Sequence, residues 1–237
     1  VYNYDKMTLN PEFDRKMSMT SLRRNTSEKV SFYEGLGMVV NSQNYVKKEG
    51  VTKKHLARYS EDFKEIWRYD YSDIKDKKQR ELRYLASDKD VMVMFNHYVK
   101  SGNQGTYLPD ISVMLIDGNQ GTLRKEFVFP DLKKYSYRVS DCVIKDNRIY
   151  IMGNYAEGNK FSNVDDVKNI GLYKFVLDKT TGELLQSDYF KWESLVGKLD
   201  IKKNGFVKKE GQLYTHEMLI KSDGSVLVAA EAFINKP

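Results

Sequence analysis

The sequence predicts an all-β fold, specifically a β-propeller of four-stranded antiparallel blades, either complete or part of a larger propeller. Three observations carry this: a hairpin motif that recurs four times, a second and more apolar strand pair that recurs four times between the hairpins, and 17 tyrosines among 237 residues. Tyrosine suits half-buried strands, because its ring packs while its hydroxyl stays hydrated.

The hairpin motif is an apolar-aromatic strand, a polar turn and a second strand. Its copies run from Val1 to Met19, His55 to Tyr71, Ser112 to Phe129 and Gly171 to Phe190. Taking Asp5, Ser60, Asp117 and Asp178 as the residue that opens each turn, the steps are 55, 57 and 61 residues. Asp and Ser fit this place because their side chains accept bonds from the backbone ahead of them, and Gly118 and Gly182 are expected to supply the positive φ inside the turn.

The second motif is a strand, a charged turn and a very apolar strand. It spans Val30 to Tyr45, Leu82 to Tyr98, Asp141 to Tyr155 and Glu217 to Phe233. The turns at Asp88, Asp146 and Asp223 are of the kind that joins adjacent antiparallel strands. The apolar blocks Gly37 to Val40, Val91 to Met94, Ile149 to Met152 and Val226 to Ala229 are too short for helices and read as strands buried on both faces. Tyr45, Tyr98, Tyr155 and Phe233 form a column at one place in each copy, and packing between neighbouring blades explains it.

Joined, the motifs give about four repeat units: an outer half-blade over residues 1–29, whole units at 30–81, 82–140 and 141–216, and an inner half-blade over 217–237. One blade is thus split between the termini, as in a ring closed by its own ends and equally in a window cut from a larger ring. Four blades stand at the bottom of the usual range of about four to eight. The chain opens at Val1 inside a strand pattern, so the window is the expectation.

The segments LYKFVLDKTTGELLQSDYF and VMLIDGNQGTLRKEFVF resemble the strand-Asp-turn-Gly-strand element of quinoprotein-like and related bacterial β-propellers. The resemblance implies architecture only. The chain has no WD dipeptide, no kelch double glycine and no set of residues matching a quinone site, so no cofactor is expected.

Composition narrows the function classes. Lysine and arginine exceed the acids by 39 to 33, but the charges alternate in sign along the chain, which argues against a specific nucleic-acid stripe. The single cysteine, Cys142, excludes an intrachain disulfide and sits in an apolar alternation that predicts a buried thiol. No stretch approaches the ~18 apolar residues of a membrane-spanning helix. GxSxG, Walker and GxGxxG motifs are absent, the three histidines (His55, His97, His216) lack metal-site spacing, and no catalytic residue is assigned. Asp165, Asp166, Asn159 and Asn163 supply oxygen ligands in one loop, but their spacing does not match a calcium loop, and no metal is expected.

Two segments lengthen the repeat, Glu157 to Asn169 and Lys191 to Gln212. The first of these and the corresponding loops Lys47 to Lys54 and Lys100 to Pro109 follow inner strands, and these three form the expected binding surface, since loops carry function while blades are committed to packing. The candidate binding residues are Trp192, Tyr107, Lys47, Lys48, Asn159 and Phe161, although packing is favoured over ligand contact for Trp192 by about two to one and is also the expected role of Trp67. The functional expectation is a non-enzymatic binding or scaffold module of the bacterial cell envelope or exterior (periplasmic, outer-membrane-associated or secreted) that holds a protein or glycan. Its rival is a propeller glycoside hydrolase or lyase with carboxylates converging on the central channel.

Overall fold

Alternation of apolar and polar residues over segments of 6 to 11 residues, punctuated by Asp- and Gly-containing turns, folds into antiparallel sheets laid down in chain order. The computed structural model describes residues 2–3, 8–9, 26–48, 51–72, 74–75, 78–100, 111–158, 169–207, 211–221 and 224–233. The chain is all-β, and among the described residues the one helical element is a 3-10 turn at Trp192–Leu195. None of these residues forms a helix long and apolar enough to cross a membrane.

Strands β1 (Tyr2–Asn3) and β2 (Thr8–Leu9) pair with each other. The first sheet is a meander of β3 (Thr26–Tyr33), β4 (Gly37–Val46), β5 (Val51–Tyr59) and β6 (Glu65–Asp70). The second holds β7 (Ile74–Lys75), β8 (Lys78–Ser87), β9 (Val91–Lys100), β10 (Ser112–Asp117) and β11 (Leu123–Val128), hydrogen-bonded in that order. The third is β12 (Tyr135–Lys145), β13 (Arg148–Glu157), β14 (Asn169–Asp178) and β15 (Leu184–Lys191). The fourth has three strands, β16 (Phe206–Val207), β17 (Gly211–Ile220) and β18 (Val226–Phe233).

The chain packs as two units. One comprises residues 1–74 with 87–92 and 116–123; the other comprises 75–86, 93–115 and 124–237.

Apart from the short β7 at the edge of the second sheet, each complete sheet takes its first two strands from the apolar motif and its last two from the hairpin motif. Burial differs from the expected split into an inner pair and an outer hairpin. The hairpin's first strand is as deeply buried as the apolar block: Val113, Met114 and Leu115 in β10 are 0% exposed, and Phe175 and Leu177 in β14 likewise. The physical reason is position. The second and third strands of a four-strand meander are central and covered on both faces, whereas the fourth is an edge. Accordingly β15 has no buried residue along its length. The fourth copy of the apolar block departs from the other three, since Leu227 in β18 is 54% exposed and Leu219, its register partner in β17, is 50% exposed. Among the described strands β18 has β17 as its only neighbour, so this block lacks the third strand that buries its counterparts.

The hairpin turns follow the predicted chemistry with one change. The Asp117 carboxylate accepts the backbone N–H of Asn119 and of Gln120, each at 2.8 Å, and Asp178 accepts those of Thr180 and Thr181 at 2.8 Å each. In both turns a glycine then folds back onto the Asp carbonyl, Gly121 with φ +69° and Gly182 with φ +71°. The positive φ thus belongs to Gly121 and not to Gly118. In the first sheet Ser60 opens the turn and Phe63 takes the left-handed position at φ +59°.

Gly118 has a different task within the first unit. Its carbonyl accepts the Trp67 indole N–H at 2.8 Å and the Arg58 guanidinium at 2.7 Å, while Arg58 Nε reaches the Leu36 carbonyl at 2.7 Å. Trp67 is 5% exposed, and a Cβ on Gly121 would meet its ring at 2.6 Å. This is the packing role expected for Trp67. Gly121→Ala combines a ring clash with a left-handed φ, so it should lower the urea-unfolding free energy by at least about 1–3 kcal/mol; an unchanged urea midpoint would contradict the account of this turn.

Candidate functional site

Within every complete sheet the meander divides the connections between two ends. The second-to-third-strand loop and the departure to the next sheet leave from one end, and the tight turns occupy the other. In the first sheet residues 47–48 and 71–72 share an end opposite the turns at 34–36 and 60–64. In the third, residues 157–158 and 192–205 share an end opposite the turns at 146–147 and 179–183. We refer to this as the loop end of each sheet.

At the loop end of the third sheet the residues on one face are almost all tyrosine. Tyr137 is in register with Tyr155, and Tyr173 with Tyr189. The strands between them carry glycine at the crossing points: Gly153 lies opposite Tyr173, and Gly171 opposite Tyr155. Side chains on strands two apart stand about 9.5 Å from each other and do not normally meet. Here the Tyr137 and Tyr173 rings approach to 5.1 Å between centroids across β13, and the Tyr155 and Tyr189 rings to 5.1 Å across β14. Glycine allows this because it places no side chain between them. A Cβ at Gly153 would come within 1.8 Å of the Arg138 carbonyl oxygen, and one at Gly171 within 2.0 Å of the Phe190 carbonyl oxygen. The bulge between Val139 and Asp141 in the neighbouring strand accompanies the first of these close approaches.

The cluster continues inward through Phe175, 4.8 Å from Tyr173, and Phe129, 5.2 Å from Tyr137. Outward it ends at Tyr135 and Tyr189, the latter 40% exposed. The phenols of Tyr137 and Tyr189 bond at 2.9 Å. The hydroxyls of Tyr155 and Tyr173 are buried without a hydrogen-bond partner. Burial pushes the Tyr155 phenol up to about 12 and Tyr173 well above the usual tyrosine range. Tyr137 is raised by burial and by its bond to Tyr189, and Tyr189 is raised mainly by burial. Cys142 is buried, and loss of solvent raises its thiol far above the range of a nucleophile.

Two polar groups lie elsewhere. Ser112 donates to Glu126 at 2.5 Å, and the Asn96 amide donates to both at 2.8 and 3.1 Å, leaving the buried Asn96 Oδ1 without a hydrogen-bond partner. In the first sheet Glu28, Ser42, His55 and Asp70 occupy one row in register across all four strands. Partial burial, then Arg68, lowers the His55 pKa from its usual 6.5. Among the described residues no three His, Cys, Asp or Glu are arranged to hold a metal ion.

Of the sequence candidates, Lys47 and Lys48 are exposed at the loop end of the first sheet, within the first unit. Trp192 belongs to the second unit and is 3% exposed, packed with Met152, Leu172, Ile201 and Met218 while its indole N–H donates to Asn169 at 3.2 Å. A buried indole presents no face to a ligand, so Trp192 is a packing residue, and the ligand-contact assignment is corrected accordingly. Tyr107, Asn159 and Phe161 lie outside the described residues, as do the calcium candidates Asn163, Asp165 and Asp166. In the aromatic column, Tyr98 and Tyr155 are buried, whereas Tyr45 is 44% exposed. The tyrosine cluster went unread in the sequence. Its signal was the pairing of Tyr-x-Tyr at 135–137 with Tyr155, Tyr173 and Tyr189 once the meander is drawn, with Gly153 and Gly171 at the crossings.

With this geometry in view, the comparisons place the chain. It belongs to the DUF6770 family, a family of unknown function whose model matches residues 2–236. A search of curated proteins returns no match. One similar solved structure is a crystal structure of the eukaryotic initiation factor, 9% identical with a TM-score of 0.26; the match covers 70% of this chain and 55% of that one, about half its length. A likeness this slight bears neither on fold nor on activity.

Two pH predictions follow for this DUF6770 chain. Because the Tyr137, Tyr155, Tyr173 and Tyr189 phenols are raised in the folded state, they stabilise the fold fully below about pH 10 and lose that contribution as pH climbs toward 12 and above. Absorbance titration at 295 nm should show these four ionising only together with alkaline unfolding; smooth titration of all 17 tyrosines near pH 10 would contradict it. His55 works in the opposite sense. Its depressed pKa means the unfolded chain binds the proton first, so stability falls as pH drops below about 6.5. His55→Gln should flatten the urea midpoint between pH 7 and 5, and an unaltered slope would show that His55 is not responsible.

Proposed function

We propose that this chain is a non-catalytic binding module, its sheets arranged as propeller blades, which holds a glycan or protein at the loop end in the bacterial cell envelope or exterior. The observation that carries the reading is in the third sheet, where the tyrosine cluster and the long connection 192–205 share one end while the other is closed by short hydrogen-bonded turns. In each blade the packed strands would hold the loop end in place for a partner. Lys47, Lys48 and Tyr45 at the loop end of the first sheet offer an exposed ring and positive charge suited to a polar partner.

Co-sedimentation with purified peptidoglycan sacculi and with outer-membrane vesicles tests the reading. Wild-type chain should pellet with at least one of them. Substitution at the loop end of the first sheet, Lys47→Glu with Lys48→Glu, or of the third, Tyr189→Ala, should reduce the bound fraction at least fivefold in one case or the other, whereas Lys89→Glu and Lys179→Glu in the tight turns should leave it unchanged. No co-sedimentation, or equal loss from both ends, would defeat the proposal.

A further inference from the structure

The loop end of the third sheet carries a surface more specific than a general binding face. Tyr189 is 40% exposed, and the ring is held from behind by Tyr155 at 5.1 Å and by its phenol bond to Tyr137 at 2.9 Å. A part-exposed ring held by these contacts has lost its rotamer entropy before a ligand arrives, which suits it to stacking. Tyr135 stands 6.4 Å away, with the Lys134 ammonium 4.9 Å from its ring centre.

The surroundings of the ring identify what it fits. On β15 the residues two before and two after Tyr189, on the same face, are Ser187 and Lys191. Glu157 is in register with Tyr135, and the exposed Asp131 acts electrostatically on both Tyr137 and Tyr189. The turn holding Asp131 and Lys134 is tied down by backbone bonds from Lys134 and Tyr135 to the Asp131 carbonyl at 2.8 and 2.9 Å, and by Gly158 N–H to the Lys134 carbonyl at 2.8 Å.

The strands and turn bordering Tyr189 therefore offer two carboxylates, two ammonium groups and a hydroxyl. Their formal charges cancel, which disfavours a polyanion and favours a partner that exchanges hydrogen bonds with both signs of charge. A neutral ligand dense in hydroxyls, with one apolar face of C–H groups, matches them: the hydroxyls donate to Asp131 and Glu157 and accept from Lys134 and Lys191, while the C–H face lies on the ring.

We infer that Tyr189, rimmed by Asp131, Lys134, Glu157 and Lys191, is a subsite for one sugar ring of a neutral oligosaccharide. The inference rests on the binding-module reading and names its ligand class.

Isothermal titration of the full chain with cellohexaose, xylohexaose, mannohexaose and chitohexaose, and with hexagalacturonate as the polyanionic comparison, tests it. At least one neutral hexasaccharide should bind more tightly than hexagalacturonate. Tyr189→Ala should weaken that binding at least tenfold, and Tyr189→Phe, which keeps the ring, less than threefold. Should Tyr189→Ala unfold the chain by near-ultraviolet circular dichroism, Glu157→Gln and Lys191→Ala serve instead, each expected to weaken binding several-fold. No binding of any neutral hexasaccharide at a concentration of about 5 mM, roughly the weak limit of specific recognition, would overturn the inference, as would preference for the polyanion or indifference to Tyr189→Ala and its substitutes. If envelope co-sedimentation persists while every neutral sugar fails, only the sugar subsite falls. If both fail, the binding-module reading falls with it.

Discussion

Two glycines set the geometry of the third sheet. Gly153 and Gly171 sit where a Cβ would collide with a neighbouring carbonyl oxygen, and by carrying none they let tyrosines on strands two apart close over the sheet. Each aromatic contact adds about 0.5–1.5 kcal/mol beyond its burial, so the network of Tyr137, Tyr155, Tyr173, Tyr189 and Phe175 binds four strands into one body. The exposed ring of Tyr189 inherits that rigidity, as do the turn at Asp131 and the loop end of the sheet. The cost is visible in the same place: the Tyr155 and Tyr173 hydroxyls are buried without partners, a penalty of roughly 1–3 kcal/mol each in the usual range. A purely structural core would use phenylalanine at those positions, so the phenols are the part of the cluster that packing does not explain.

The first unit relies on a different device. There the Gly118 carbonyl is a shared acceptor for Trp67 and Arg58, and Arg58 also caps the Leu36 carbonyl. Turn carbonyls that would otherwise face water are thereby used to join the hairpin of one repeat to the strands of another. The tight-turn end is thus saturated with internal bonds, in line with a structural role, and the loop end retains the exposed Lys47, Lys48 and Tyr45.

Much of the fold is legible in the sequence because strand periodicity and turn chemistry are local. Asp117 and Asp178 open their turns as their side chains dictate, the apolar residues at 38–40, 91–94 and 149–152 are buried, and each complete sheet pairs an apolar motif with the hairpin after it. What is not legible depends on position within the sheet. Val226 to Ala229 has the same composition as its counterparts, yet Leu227 is exposed because no described strand flanks β18 on its second side. Trp192 is an aromatic in a long connection, and only the surrounding Met152, Leu172, Ile201 and Met218 turn it into core. The positive φ falls at Gly121 because the Asp117 carboxylate first captures two amides, and spacing alone does not separate it from Gly118. The tyrosine cluster needs four strands in register before its residues become neighbours, so single-strand patterns conceal it.

The claim that the glycine-bridged tyrosines make the loop end of the third sheet rigid is tested most directly by native-state amide hydrogen exchange resolved to single residues. The account predicts that the backbone-bonded amides of 153–155 and 171–173 exchange only through global unfolding, with the free energy that urea denaturation gives for the unit. Exchange of these amides through a local opening several kcal/mol easier than global unfolding, with the tight-turn end still protected, would contradict it.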